Sequence, residues 1–301
     1  MKQSTVENYR QRVIRVIEYI HDHLDGDLTV DVLAEVAFMS PYHFHRIYRE
    51  LARETLNATI RRLRLQRAAV ELINSNKPIV RIAGSASYGS PEAFSRAFMQ
   101  QFGESPKIYR KNRQERGGRA DEPYVVMLPA QSEEYQEMFS VEINEIEPVK
   151  LIGYSHQGDY MDIGRTFEKI FVFASSNNLL DENTRSIGLY YDDPKTVEKP
   201  QLRSFAAISV ARDAVLPDKG EGAPESREIP GGRCVSLLFK GSYAELEKPY
   251  DWLFGHWLPQ SGYEAADFPP FEEYLNDPKA TPPNELLTRI NCFVSKGQGA
   301  L

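Results

Sequence analysis

Ser40-Pro41-Tyr42-His43-Phe44-His45-Arg46-Ile47-Tyr48 and Ser90-Pro91-Glu92-Ala93-Phe94-Ser95-Arg96-Ala97-Phe98 are one pattern written twice, fifty residues apart. Ser-Pro is a helix start: the Ser side chain accepts from an orphan N–H, and Pro at the first helical position loses no needed donor. Behind it Phe44, Ile47 and Tyr48, or Phe94, Ala97 and Phe98, recur at i, i+3, i+4 and predict a buried helical face. The opposite face carries Tyr42, His45, Arg46 and Arg49 in the first copy, and Glu92, Ser95, Arg96 and Gln100 in the second. A short helix precedes each, over 30–37 and 79–86, and Phe38 answers Tyr88 in the turns. The spacing therefore predicts helix, tight turn, capped helix, twice.

Residues 57–73 hold no Pro or Gly and predict a helix of ~25 Å between the two units. Successive major grooves on one face of DNA lie ~34 Å apart, so a rigid spacer of this size has a physical use. Two ordinary hairpins of an all-helical domain would explain either copy alone. The duplication, with an Arg kept on both outer faces, favours DNA reading.

Charge divides the chain. The 301 residues carry a formal net charge of −7, which taken whole argues against nucleic acid. Residues 1–116 nevertheless total +6, and 117–301 total −13. Phosphate contact needs only a local basic face. Two cysteines, Cys234 and Cys292, predict a reducing compartment without a disulfide framework. No run of 18 apolar residues and no apolar leader is seen, so a cytoplasmic location with no membrane partner is expected.

LAEVAFMSPYHFHRIYREL, IRRLRLQRA and IAGSASYGSPEAFSRAFMQQFGESPKIYR together resemble the DNA-binding domain of AraC-type transcription regulators, over about residues 10–113. Ser87 stands where that family usually has Gly, and Arg53 and Leu56 where it usually has Gly and Pro. The resemblance implies that Tyr42, His45 and Arg46, and Glu92, Ser95 and Arg96, face base edges. Arg can bond guanine bidentately and Glu can accept from cytosine. Arg49, Arg61, Arg62, Arg64 and Lys107 are expected at phosphates or in solvent.

Residues 110–122 are polar, contain Gly117-Gly118, and read as a linker. From about Ser140 apolar residues alternate, the strand pattern. A second repeat appears. Gly158-Asp159-Tyr160 matches Gly241-Ser242-Tyr243 at an offset of 83, and GLYYDDP (188–194) matches EEYLNDP (272–278) at 84. Phe167, Ile170 and Phe171 match Tyr250, Leu253 and Phe254, and FAAISV (205–210) matches RINCFV (289–294). Each half is strand, helix, strand, strand, and two such halves predict a pseudo-two-fold α+β domain with a groove at the seam. The Gly-rich stretch 217–232 joins the halves as a mobile loop. The whole is a multidomain chain: an all-α double helix-turn-helix domain (1–113), a linker (114–139), and an α+β domain of two β-α-β-β repeats (140–296).

The second half, most clearly GSYAELEKPYDWLFGHWLPQSGYEAADFPPFEEYLNDP, resembles GyrI-like effector-binding domains. That resemblance implies a small, drug-like, often cationic ligand. Some relatives hydrolyse reactive compounds. Aromatic faces plus a carboxylate are what a lipophilic cation needs. The candidates are Tyr154, Tyr160, Tyr190, Tyr243, Tyr250, Trp252, Trp257 and Tyr274, with Glu272 as the acid. Trp and Tyr at helix spacing are otherwise core residues. Glu272 and Tyr274 share a strand face and Glu273 points away. Arg289, where a carboxylate is common, is expected to neutralise Glu272 or to select an anion. Walker A, GxSxG, HExxH and CxxC patterns are missing, and no metal or cofactor is expected. The reading is a transcription regulator and not an enzyme. Its expected partners are double-stranded DNA, a small-molecule effector and RNA polymerase. A hydrolase using Glu272 as general base, or a protein-interaction module, is the alternative.

Overall fold

A computed structural model of the chain describes residues 2–115, 128, 139–214 and 222–296. The helical domain holds α1 (Lys2–Asp22), α2 (Val30–Ala37), α3 (Pro41–Ala52), α4 (Leu56–Asn74), α5 (Ile79–Ser85), α6 (Pro91–Phe102) and α7 (Pro106–Glu115). Both helix-turn-helix units are present. Phe44, Ile47 and Tyr48 are buried in one, Phe94 and Phe98 in the other. The spacer α4 is 19 residues long, or ~28 Å. Thr55 caps it, accepting from the Ala58 N–H at 3.2 Å.

The two Ser-Pro starts differ. Ser90 accepts from the Ala93 N–H at 3.2 Å, as its sequence predicts. Ser40 makes no cap bond; its hydroxyl donates to Asp267 of the other domain at 2.9 Å. The turns differ too. The left-handed residue is Phe38 (φ 53°) in the first and Ser87 (φ 62°) in the second, followed by Met39 and Tyr88. The Met39 N–H bonds the Ala34 carbonyl and the Tyr88 N–H the Ala83 carbonyl, both at 3.0 Å. Tyr88 is thus the counterpart of Met39 and not of Phe38, and Gly89 is one extra residue in the second turn. Arg53 (φ 57°) and Gly103 (φ 76°) end α3 and α6 in the same left-handed conformation.

The expected linker lies, apart from residues 114, 115, 128 and 139, outside the described residues. Beyond it come β1 (Val141–Ile146), β2 (Val149–Gln157), α8 (Gly164–Ser176), β3 (Ser186–Tyr190), β4 (Arg203–Ser209), β5 (Glu225–Ile229) and β6 (Gly232–Lys240). Helix α9 (Glu247–Asp251) runs through a π-helical stretch, Trp252–Trp257, into α10 (Leu258–Ser261). Strands β7 (Tyr263–Ala265), β8 (Phe271–Tyr274) and β9 (Leu287–Lys296) complete the domain.

The sheet order, β1-β6-β9-β8-β3-β4-β2-β5, is a palindrome of the two repeats, with β7 paired to β9. Its centre is the antiparallel pair β3–β8. Each repeat has a strand that sequence alternation did not separate: β1 pairs with β6 of the second half, and β5 with β2 of the first. The stretch read as a mobile loop therefore holds an edge strand from 225 to 229, while 217–221 lie outside the described residues. Strand exchange of this kind ties the halves together.

One face of the sheet buries Leu151, Ile187, Leu189, Phe205, Phe271 and Phe293. The other carries α8 and α9. Strands β6 and β9 there share a core with the helical domain: Val235, Leu237 and Ile290 cluster with Tyr250, Phe254, Ile20, Leu33 and Ile47.

Candidate ligand site and DNA-reading helices

Strand register builds the candidate site. Glu272 of β8 faces Gly188 of β3, and the next residues on the same side are Tyr274 and Tyr190. Glu272 is 4% exposed. Its Oε1 accepts from the Tyr250 hydroxyl at 3.0 Å and its Oε2 from the Tyr274 hydroxyl at 2.7 Å. The Tyr190 and Tyr274 hydroxyls are bonded to each other. Around Tyr274 stand Phe167 and Tyr243, edge-on at 5.4 and 5.3 Å. Tyr160 meets Tyr190 edge-on at 4.8 Å. Helices α8 and α9 bring Phe167 and Tyr250 to the carboxylate from either side of the pseudo-dyad.

Burial pushes the Glu272 carboxyl up to about 7; the Tyr274 and Tyr250 hydroxyls and the Arg46 charge pull the other way. Tyr190, Tyr250 and Tyr274 are raised by burial first and then by the Glu272 charge, so they stay neutral donors. Tyr243 is pushed up to about 12, again by burial. Among the described residues no Lys or Arg forms an ion pair with Glu272, and no cluster of His, Cys, Asp or Glu suits a metal ion. A buried carboxylate ringed by aromatic faces can hold an organic cation by charge and by cation–π contact.

Of the residues expected here, Glu272, Tyr274, Tyr160, Tyr190, Tyr243 and Tyr250 come together, and Arg289, Trp252, Trp257 and Tyr154 do not. Arg289 faces Glu273 in the β8–β9 register and pairs with it at 2.9 Å, on the opposite side of the strand from Glu272. Side-chain alternation decides this. Trp252 is buried and meets Phe139 edge-on at 5.5 Å, and Trp257 stacks on Tyr263, both in the core shared with the helical domain. Tyr154 shares the sheet face of Glu272 but lies three strands away, ~14 Å at the usual strand spacing. Its hydroxyl donates to the Gly222 carbonyl, and Lys169 sits 3.7 Å over its ring. Phe167, which was not among the candidates, also stands there, and its offset of 83 to Tyr250 was the signal for it.

The DNA-reading helices are presented unequally. On α6, Glu92 and Arg96 are exposed and Ser95 is half-buried, as an outward face requires. On α3 the expected outward face is turned to the sheet domain. Arg46 is 4% exposed; it donates to the Asp192 carbonyl at 3.2 Å and lies 4.7 Å over the Tyr250 ring and 5.6 Å over Phe254. Arg49 pairs with Asp193 and Asp251. His45 is half-buried, and burial lowers its pKa. The Tyr42 ring meets Tyr191. His43, which no pattern singled out, is fully buried with its Nε2 2.9 Å from the Phe268 carbonyl; burial lowers it to about 3. Elsewhere Arg62 pairs with Glu54 and Arg64 donates to the Leu24 carbonyl, whereas Arg61 and Lys107 are exposed.

Residues 139–291 match the GyrI-like small molecule binding domain, and 33–112 match a helix-turn-helix domain family. The chain is 37% identical over 103 residues to the regulatory protein SoxS of Salmonella typhimurium, covering 34% of this chain and 96% of that protein. It is 33% identical over 139 residues to a DNA gyrase inhibitor of Erwinia billingiae, covering 46% of this chain and 87% of the relative. Among solved structures, the EcmrR C-terminal domain aligns over 53% of this chain and 99% of its own, at 18% identity and a TM-score of 0.43.

Proposed function

The chain belongs to the GyrI-like family and carries an AraC-type helix-turn-helix domain in front of it, and from that premise we propose a small-molecule sensor joined to a DNA reader. Residues 1–113 read a promoter through α3 and α6, residues 114–139 link, and residues 140–296 bind a flat organic cation. The bound state is read out at RNA polymerase. The observation that carries the ligand class is Glu272: a buried carboxylate bonded by two tyrosine hydroxyls inside a ring of aromatic side chains. Burying a charge without a partner is costly, and an incoming cation offsets that cost.

The experiment is calorimetry on the full chain with three flat bicyclic compounds of similar size: the N-methylquinolinium cation, neutral 1-methylnaphthalene and the 1-naphthoate anion. The cation should bind most tightly. Equal affinity for all three would remove the cation reading. Because a carboxyl near 7 also suits general-base work, an ester of the quinolinium cation is incubated with the protein and weighed by mass spectrometry. An unchanged mass supports a binder, and hydrolysis supports an enzyme.

A further inference from the structure

The contacts around Glu272 close on themselves through a residue of the other domain. Tyr274 bonds Glu272, and Glu272 bonds Tyr250. The Tyr250 ring carries the Arg46 guanidinium on its face. Arg46 donates to the Asp192 carbonyl, which also accepts from the Tyr160 hydroxyl at 3.1 Å. Tyr160 meets Tyr190, and Tyr190 bonds Tyr274. Arg46 thus has the chemistry proposed for the ligand, a planar cation on aromatic faces near a carboxylate, and it comes from the base-facing side of α3.

We propose that Arg46 is held over Tyr250 by the same carboxylate charge and aromatic faces that would hold the ligand, so that an organic cation at Glu272 and the docked reading helix disfavour one another and ligand frees α3 for DNA. This rests on the reading of the Glu272 cage as a ligand site. A cation bound to Glu272 places a second positive charge across Tyr250 from Arg46 and neutralises the carboxylate that attracts it. Gly255 lets α3 approach, since a Cβ there would meet Glu50 Cγ at 2.5 Å and Cβ at 2.6 Å. Around the shared apolar core, which includes Ile47, Leu253 and Phe254, run polar contacts: Arg49 with Asp193 and Asp251, Arg12 with Glu264 at 2.9 Å, and Ser40 with Asp267. With α3 docked, only α6 presents its base-facing side. Ligand and DNA then raise each other's affinity, as linkage requires.

The test uses the full chain and a duplex selected from a random pool by Gly255→Ala, a change that pushes α3 off the sheet domain and spares Arg46 and Glu272. Footprinting should show wild type without ligand protecting about one helical turn, ~10 base pairs, and the variant about two. The quinolinium cation should lengthen the wild-type footprint to match. The double variant Asp251→Asn, Glu264→Gln weakens the same interface and serves if Gly255→Ala does not fold. In calorimetry Arg46→Ala should bind the cation about tenfold more tightly. Wild type and both variants giving equal footprints would overturn occlusion, and an affinity untouched by Arg46→Ala would overturn competition. A cation that binds neither wild type nor Arg46→Ala defeats the ligand reading itself, while the footprints of wild type and variants still judge occlusion separately.

Discussion

Gly188 stands directly across the β3–β8 ladder from Glu272 and is also its counterpart in the other repeat. The pseudo-two-fold would place two carboxylates face to face at the dyad. Glycine leaves one, and fills the vacated space with the Tyr190 ring. A Cβ on Gly188 would meet that ring at 2.8 Å and its hydroxyl oxygen at 3.0 Å. Gly188→Ala should therefore push Tyr190 from Tyr274 and loosen the donor held on Glu272. A stability loss of about 1–3 kcal/mol is expected from overpacking, with weaker cation binding in calorimetry. Unaltered cation affinity would show that Tyr190 does not organise the site.

Glu272→Gln keeps the shape and removes the charge. Cation binding should weaken by about 1.5–3 kcal/mol, the range for a hydrogen bond to a charged group. Stability carries an independent sign. The folded-state value of about 7 lies above the ordinary 4.5, so the buried neutral acid stabilises fully at low pH, and that contribution fades as pH rises from about 4.5 to about 7. Gln has no such slope. Melting curves of variant and wild type should therefore diverge between about pH 4.5 and pH 7, the variant gaining at the alkaline end.

Arg289→Ala tests the alternation of β8. The Arg289–Glu273 pair lies across the strand from the cage, and the Arg side chain is 40% exposed. The change should cost no more than about 1 kcal/mol of stability and leave the preference for cation over anion as it was. A swing toward anions in the three-compound titration would put Arg289 in the site after all.

Arg96→Ala on α6 should weaken specific DNA binding by about 1–3 kcal/mol if the guanidinium reads a base. Substituting exposed Arg61 should weaken every sequence alike and flatten the salt dependence. Anisotropy titrations at several salt concentrations, on the selected duplex and on a scrambled one, separate the two. A uniform loss for Arg96→Ala would make it a phosphate contact.

Periodicity and duplication made most of the fold legible. The paired Ser-Pro starts located α3 and α6, and the offsets of 83 and 84 located the two β-α-β-β units. The same duplication hid what breaks it. Gly89, a single extra residue, shifts the second turn against the first, and β1 and β5 each pair with the other half, which local alternation cannot specify. In the site, strand parity put Glu272 and Tyr274 on one face and Glu273 on the other, and the family resemblance favoured Glu272. Arg289 failed by that same parity, because the register of β9 against β8 is a long-range property. The inward turn of Tyr42, His45, Arg46 and Arg49 was the least readable feature. An Arg destined for a base and an Arg destined for the face of Tyr250 occupy the same helical position.

The spacer α4 sends its two ends into different cores. Leu56, Ile60 and Leu63 join the cluster shared by α1–α3 and the sheet, while Leu65, Ala68, Ala69 and Leu72 join that of α5–α7. Cooperative units follow buried contacts and not sequence repeats. The line along which this chain comes apart under heat or in hydrogen exchange therefore crosses α4 between Leu63 and Leu65. The second helix-turn-helix opens by itself, and the first melts together with the sheet.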